Sequence, residues 1–268
     1  MNAAPAMQRR DPPAMAAVAA DLLRLDNVSR HFGKLQAVQE VSFAMNAGEL
    51  RAVIGPNGAG KTTFFNLITG FVPPTSGDIW FDGKNIRDRS VVYRVRKGIV
   101  RTFQITEVFP DLTVFENVRV GVETAAGLNG RPWIPRHARN EVTGRVDELL
   151  HVVGLANKAN RIVGELAHGD QRVVEIALAL TMNPRLLLLD EPTAGMGDTE
   201  TDHMVDLVRR LHDERGLSIL FIEHDMNIVF GIAQKITVLD QGRVLAEGSA
   251  ADISANAQVR AAYLGEAQ

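Results

Sequence analysis

The chain has 268 residues, a formal net charge of −3 and no cysteine. This length suffices for a well-buried core in one large domain or two small ones. The lack of cysteine excludes a disulfide scaffold and cysteine-based metal or nucleophile chemistry, and the charge balance gives no electrostatic reason to expect nucleic acid as a partner. No apolar run reaches the roughly 18–20 residues that a membrane helix needs. Any membrane role is therefore expected to come through partner subunits.

Residues 1–20 combine two arginines with an alanine-rich patch, a composition that superficially resembles a signal peptide. Pro12 and Pro13 interrupt the region and Asp21 closes the apolar patch too early, so a signal peptide is not predicted. We expect a disordered N-terminal extension over 1–20 and a folded domain over 21–268.

Apolar runs and turn residues divide the folded part into strands and helices. Strands are predicted over residues 22–28, 41–45, 50–54, 78–81, 99–103, 186–189 and 218–222. Helices are predicted over 61–69, 114–122, 142–153, 200–213 and 226–233, with another ending near 182 and a hairpin around 240–242. Strands that alternate with helices indicate an α/β fold with a mostly parallel sheet, here given an antiparallel β edge. The stretch from about 105 to 182 is interpreted as a mostly helical subdomain inserted in this core.

A glycine-rich loop follows the predicted strand 50–54 and opens a helix. Its sequence, Gly-Pro-Asn-Gly-Ala-Gly-Lys-Thr over residues 55–62, fully matches the P-loop pattern. The glycines let backbone N–H groups turn inward and the helix N-terminus adds positive charge, so ATP phosphates are expected here. Lys61 is expected to contact the β- and γ-phosphates and Thr62 to ligate Mg²⁺. The residues predicted to contact the nucleotide are Gly55, Pro56, Asn57, Gly58, Ala59, Gly60, Lys61, Thr62 and Thr63. The alternative is a glycine-rich turn with an incidental lysine.

Two carboxylates, Asp190 and Glu191, follow the buried strand 186–189. Open α/β sheets place ligands at the carboxyl ends of their strands. Asp190 is therefore expected to hold Mg²⁺ and Glu191 to act as the general base that polarises the attacking water. Acidic pairs at strand ends are also common helix caps, which is the alternative for this pair.

Two further polar residues follow predicted strands. His224 comes after strand 218–222, where it would sense the γ-phosphate and orient the water. Gln104 comes after strand 99–103, where its amide would contact Mg²⁺ or the water. A lone histidine after a strand is more often structural, and a single glutamine is weak evidence.

Taken together and in their order along the chain, these motifs resemble the ABC transporter ATPase family over about residues 22–266. Residues 55–62 resemble its Walker A motif, Asp190 and Glu191 its Walker B motif, Gln104 its Q-loop and His224 its switch histidine. The resemblance implies a P-loop NTPase core that hydrolyses ATP, with the nucleotide held between the Walker motifs of one subunit and the signature of another. It also implies that Phe32 is the aromatic residue that stacks on adenine.

The family's signature motif falls on residues 166–171 but departs from the usual sequence. Ala167 stands in place of the signature serine, and His168 and Asp170 flank a retained Gly169. These four residues are expected to face the partner's nucleotide through a weakened contact, since a lost hydroxyl donor to a charged group costs about 1.5–3 kcal/mol. Gly197 also stands where the family has the D-loop aspartate. A heterodimer with a second ABC ATPase is therefore expected.

Three segments are similar to the subfamily that imports branched-chain amino acids and related hydrophobic amino acids or amides: residues 101–104, 191–196 and 259–265. This similarity implies transmembrane permease subunits as partners, a solute-binding protein as an indirect one, and a location at the cytoplasmic face of the cell membrane. Residues 103–118 are a possible groove for a coupling helix of the permease, although apolar residues at this spacing more often belong to a core.

Three other classes compete with this interpretation. A soluble ABC ATPase acting on DNA or ribosomes usually carries coiled coils, tandem ATPase domains or basic stripes, and none is visible in the sequence. The ATPase of lipopolysaccharide export would have a more regular signature and a shorter helical subdomain. A nucleotide kinase or GTPase would share only the P-loop.

Overall fold

The computed structural model describes residues 21–102, 108–128 and 135–264. Its central element is a six-stranded sheet of β3 Leu50–Ile54, β6 Ile99–Arg101, β7 Leu186–Asp190, β8 Ser218–Ile222, β9 Lys235–Asp240 and β10 Arg243–Gly248. The order of these strands across the sheet is β10-β9-β3-β8-β7-β6. All neighbours are parallel except β9 and β10, which pair antiparallel. Every residue of β3, β7 and β8 is buried, as expected for parallel strands covered on both faces.

A second, four-stranded antiparallel sheet has the order β2-β1-β4-β5. Its strands are β1 Leu23–Phe32, β2 Leu35–Met45, β4 Ser76–Phe81 and β5 Lys84–Asn85. The antiparallel part is therefore larger than the predicted edge, and β1 and β2 run well beyond the predicted 22–28 and 41–45. The prediction was too short because the hairpin end of this pair carries exposed residues such as His31 and Leu35, which give no alternating apolar signal.

The helix that follows the P-loop is anchored from behind by a buried arginine. Helix α1 spans Lys61–Thr69 and helix α2 spans Val91–Arg96. The Arg94 guanidinium of α2 donates to the carbonyls of Leu67 and Ile68 at 2.6 and 2.8 Å, near the C-terminus of α1. Burial lowers the pKa of Arg94 to about 10, so its charge persists at neutral pH. These bonds satisfy carbonyls that the helix end leaves without partners and so fix α1 in place.

Three helices pack against one another: α3 Val114–Ala125, α4 Arg136–Val153 and α5 His168–Thr181. Two 3₁₀ turns, Ala156–Lys158 and Val163–Glu165, connect α4 with α5. Helix α4 begins earlier than the predicted residue 142, because its first turns are exposed and polar and lack an apolar period. The division of the chain near residues 105 and 182 stays a prediction.

The remaining helices are α6 Asp198–Arg215, α7 Met226–Ile232, α8 Ala250–Ala255 and α9 Ala257–Leu264. In the described ranges, no helix has the length and apolar character needed to cross a lipid bilayer. Because β3, β8 and β7 are neighbouring parallel strands, the loops that follow them emerge side by side at the carboxyl ends of these strands. These loops carry the P-loop, the Asp190–Glu191 pair and His224.

Candidate nucleotide site

The P-loop between β3 and α1 requires glycine at two positions where its backbone passes close to other strands. Gly55 has a φ of 153°, and a Cβ atom there would lie 2.1 Å from the Leu239 carbonyl oxygen. Gly60 has a φ of 100°, and a Cβ atom there would lie 2.3 Å from the Ala37 carbonyl oxygen. Side chains would therefore clash with β9 and β2 as well as strain the backbone. These contacts fix the curl of the loop against both sheets.

Lys61 is the first residue of α1 and its side chain is largely buried, at 8% exposure. Its ammonium donates to the carbonyl oxygens of Gly55 and Pro56 at 2.6 and 2.9 Å. Helix α1 has no acidic residue in its first turn and no side-chain cap. Its N-terminal N–H groups and partial positive charge therefore remain directed at the loop, an arrangement suited to an anion.

A cavity of about 720 Å³ opens in front of this helix N-terminus. Residues 57–63 form one wall, Leu35, Gln36 and Ala37 of β2 another, and Glu191 and His224 a third. The volume lies in the range typical of ligand pockets. The cavity thus brings together the P-loop, Glu191 and His224, which the sequence analysis singled out separately.

Glu191 and His224 form a pair inside this cavity. The Nε2 atom of His224 lies 2.6 Å from Oε1 of Glu191. Glu191 has a φ of 49°, an uncommon backbone conformation for a residue with a side chain, and its N–H donates to the Ile222 carbonyl at 3.0 Å. Such strain costs about 1–3 kcal/mol and concentrates at functional sites. The tight turn aims the carboxylate at the loop after the neighbouring strand β8.

The buried side chain of Glu223 supports this pair from behind. Its Oε1 atom accepts hydrogen bonds from the backbone N–H of Thr193 at 3.0 Å and from the Thr193 hydroxyl at 2.6 Å. Its Oε2 atom accepts from the backbone N–H of His224 at 3.1 Å. One carboxylate therefore ties the loop after β7 to the loop after β8.

Asp190 lies at the end of β7 with only 2% of its surface exposed. Its Oδ2 atom accepts a hydrogen bond from Nη2 of Arg101 at 2.5 Å. Its Oδ1 atom is buried and has no hydrogen-bond partner among the described residues. A buried carboxylate oxygen without a partner is costly and calls for a cation or a water.

The predicted signature lies at the N-terminus of α5, which begins at His168 and has Ala167 as its N-cap without a side-chain hydrogen bond. The Asp170 carboxylate forms an ion pair with the Lys158 ammonium at 2.5 Å, which offsets the negative charge that the sequence placed here. The N–H of Gly169 donates to Oε1 of Glu200 at 3.4 Å. The carboxylate of Glu200 thus serves as a long-range cap for α5.

Comparison with known families decides where this chain belongs. The ABC transporter family matches residues 38–194, and the branched-chain amino acid ATP-binding cassette transporter family matches residues 243–268. The chain belongs to the ABC transporter ATP-binding family.

Relatives with known names align with almost the whole chain. This chain is 41% identical over 252 residues to the high-affinity branched-chain amino acid transport ATP-binding protein LivG of Salmonella typhimurium, and the alignment covers 92% of this chain and 98% of that relative. The corresponding protein BraF of Pseudomonas aeruginosa has the same identity and coverage. A crystal structure of an ATP-binding cassette in its ADP conformation superposes with a TM-score of 0.81 at 30% identity, covering 92% of this chain and 99% of the other.

The family, the α/β fold and the type of enzyme, an ATPase coupled to transport, are confirmed. The cassette binds nucleotide and, as the ATP-binding subunit of a transporter, acts at a membrane. The roles of individual residues stay predictions, and Gln104 lies outside the described residues.

Phe32 lies at the end of β1 and is 44% exposed, with the Arg30 guanidinium 4.5 Å from the centre of its ring. It does not line the 720 Å³ cavity, which reaches only as far as the following hairpin residues. The predicted stacking of this ring on adenine therefore stays a prediction.

Among the described residues, several side chains contact the predicted site residues without a role predicted from the sequence. Examples are Arg101, Lys158, Glu200 and Glu223. Each acts through a partner from 12 to 89 positions away in the chain. A motif search registers local spacing, so it has no means of detecting such contacts.

Proposed function

We propose that this cassette hydrolyses ATP to energise an importer for branched-chain amino acids or related hydrophobic amino acids or amides. The observation that carries the catalytic part is the cavity shared by the P-loop, Glu191 and His224. The names of the relatives support the substrate class, because this chain aligns with 98% of the LivG and BraF chains at 41% identity.

In this proposal, residues 55–63 bind the phosphates of ATP. Backbone N–H groups of the curled loop and of the α1 N-terminus donate to the phosphate oxygens. The Lys61 ammonium, which donates to two carbonyls of its own loop in this structure, donates to the β- and γ-phosphates when ATP binds. Phe32 stacks on the adenine base at the β1–β2 hairpin.

Mg²⁺ fits the donor set of the site, since hard oxygen ligands are what this cation prefers. Thr62, the second residue of α1, supplies a hydroxyl, and Asp190 supplies the buried Oδ1 atom that lacks a partner in the described part of the chain. Gln104 is the third proposed ligand. The cation would neutralise charge that develops on the phosphate oxygens.

Glu191 is the proposed general base. Its carboxylate takes a proton from the attacking water as the water oxygen bonds to the γ-phosphorus and the bond to the β–γ bridging oxygen breaks. His224, 2.6 Å from this carboxylate, keeps Glu191 in position and contacts the γ-phosphate. A general base of this kind contributes about 10²–10⁴-fold to the rate.

The proposed working unit is a dimer in which Ala167, His168, Gly169 and Asp170 face the nucleotide of the partner. Dimeric cassettes occur among the structures that this chain resembles. The hydroxyl missing at Ala167 weakens the signature, while Lys158 limits the repulsion from Asp170. We propose a heterodimer in which a second ABC ATPase supplies the stronger signature to this chain's Walker motifs.

The sequence suggested residues 103–118 for the contact with the permease, and 103–107 of this stretch lie outside the described residues. The contact proposed here is instead a mostly apolar groove of about 260 Å³ beside β6, which no residue of 108–118 lines. Phe71, Val91 and Met182 line it, and Phe71 is 48% exposed. The groove lies next to Thr102, at the entry to the segment that carries Gln104. Docking here places the cassette at the cytoplasmic face of the cell membrane, with the solute-binding protein acting indirectly through the permease.

Co-purification tests this proposal. The tagged chain is expected to bring down permease subunits and a second ABC ATPase from detergent-solubilised membranes. Reconstituted into liposomes, that complex should hydrolyse ATP faster with a binding protein loaded with leucine. Stimulation by lipopolysaccharide instead, or association with ribosomes or DNA, would overturn the importer assignment.

A further inference from the structure

Arg101, the last residue of β6, joins three elements around the proposed metal site. Its Nη2 atom donates to Oδ2 of Asp190 on β7 at 2.5 Å, and its Nη1 atom donates to Oδ1 of Asn66 on α1 at 2.7 Å. Its guanidinium carbon lies 5.5 Å from the centre of the Phe65 ring, also on α1. The side chains of Arg101 and Asp190 are 7% and 1% exposed. The pair is therefore buried between the P-loop helix and the strand that carries Asp190.

We propose that Arg101 is a positioning residue that holds the Asp190 carboxylate in register with the P-loop helix for Mg²⁺ binding. The inference rests on the proposed function, since it takes Asp190 as a metal-holding residue. Arg101 acts through Asp190 and Asn66 and does not itself touch the nucleotide or the ion.

The geometry of the carboxylate supports this role. Arg101 occupies Oδ2, so Oδ1 is the oxygen of Asp190 left for another partner, and it is buried without a hydrogen-bond partner among the described residues. Fixing one oxygen of a carboxylate fixes the direction of the other. Partners that orient metal ligands in this way are worth about 10- to 100-fold in metal affinity.

The chemistry of the guanidinium explains why arginine occupies this position. Asn66 and Asp190 lie on different elements, and the planar fork reaches both with separate nitrogens while its face lies beside an aromatic ring. A lysine ammonium is a point charge without this fork. Arg101→Lys is therefore expected to keep the charge but lose the fixed angle between α1 and Asp190.

A purely structural ion pair is the competing explanation, because breaking a buried pair destabilises the fold whatever its role. The two explanations differ in their effect on metal binding. A structural pair changes the melting temperature but leaves the Mg²⁺ requirement of the folded protein unchanged, whereas a positioning residue raises that requirement.

The test uses the assembled transporter with Arg101→Met, Arg101→Lys and Asn66→Leu, and with the surface change Arg119→Met as control. Binding of a fluorescent ATP analogue is measured first with EDTA and then during a Mg²⁺ titration. Without metal, all four variants are expected to bind the analogue within about twofold of the wild type, because the P-loop is intact. The Mg²⁺ concentration for half-maximal binding is expected to rise about 10- to 100-fold in Arg101→Met. Arg101→Lys and Asn66→Leu should give smaller rises, and Arg119→Met none.

Two further arms separate the possible results. If Arg101 acts through Asp190, combining Arg101→Met with Asp190→Asn should raise the Mg²⁺ requirement no further than Asp190→Asn alone. An unchanged Mg²⁺ requirement in both Arg101→Lys and Asn66→Leu overturns the proposal, and so does a lowered one, which would make Arg101 a competitor of the ion. If the Arg101 variants fail to fold, Asn66→Leu still tests the proposal, because it removes the acceptor of Arg101 on α1. A wild type without any Mg²⁺ dependence would instead refute the proposed function.

Discussion

Replacing Glu223 with glutamine tests whether the support behind Glu191 and His224 matters for catalysis. Glu223 is 5% exposed and accepts three hydrogen bonds, two from Thr193 and one from the His224 backbone. A glutamine side chain keeps the size but has a single acceptor oxygen. If that oxygen satisfies Thr193, the amide NH₂ group faces the His224 N–H, so one buried donor loses its acceptor.

The magnitude follows from these contacts. A buried donor left without a partner costs about 1–3 kcal/mol, so Glu223→Gln is expected to lower the free energy of unfolding by that amount. Relief of the donor–donor contact shifts the loop that carries His224, which lies 2.6 Å from the Glu191 carboxylate. Because a misplacement of about 1 Å costs up to roughly 10²-fold in rate, kcat should fall about 10- to 100-fold with KM for ATP little changed.

The assay measures steady-state ATP hydrolysis by the assembled transporter together with chemical unfolding of the isolated chain. Glu247→Gln is the matched control, since Glu247 accepts from Arg51 and from the Thr237 hydroxyl in β9 and does not line the nucleotide cavity. The control should lose stability but keep kcat. If Glu223→Gln loses stability with kcat intact, the carboxylate is only a structural tie between two loops.

Two other predictions concern the P-loop and an exposed ion pair. Lys61→Ala is expected to abolish nucleotide binding in a filter or fluorescence assay, and retained binding would refute the P-loop assignment. Arg185→Met removes the guanidinium that holds the pKa of Asp82 below its ordinary value. Because that folded-state pKa is lowered, the ion pair stabilises the protein above the ordinary carboxyl pKa and is lost as pH falls through the lowered one. Unfolding measurements should show a deficit of up to about 1 kcal/mol at neutral pH that disappears in acid, whereas a deficit independent of pH would contradict this origin.

Strands and loops with strong local signals were the ones that could be predicted. The strands β7 and β8 contain runs of four apolar residues, β3 is apolar except for the buried Arg51, and each strand is followed by the residues that the site uses. The P-loop carries its geometry in its glycines, as the close approaches at Gly55 and Gly60 show. For these elements, the types of a few consecutive residues are enough to predict burial and backbone conformation.

Contacts between distant residues were not predictable in the same way. Arg101 and Asp190 are 89 positions apart, and Glu223 lies 30 positions from Thr193. Nothing in the local sequence of Arg101 or Glu223 distinguishes these two from ordinary polar residues at strand ends. The extensions of β1 and β2 were missed for a related reason, since their exposed outer halves depend on cross-strand pairing rather than on an apolar pattern.

We propose that Glu191, paired with His224 beside the P-loop, is the general base of ATP hydrolysis. Glu191→Gln in the assembled transporter tests it most directly, because the change keeps the shape of the side chain and removes its ability to accept a proton. This variant is expected to bind MgATP with near wild-type affinity, and its single-turnover hydrolysis is expected to fall about 10²–10⁴-fold. Single-turnover hydrolysis at the wild-type rate by that variant would contradict it.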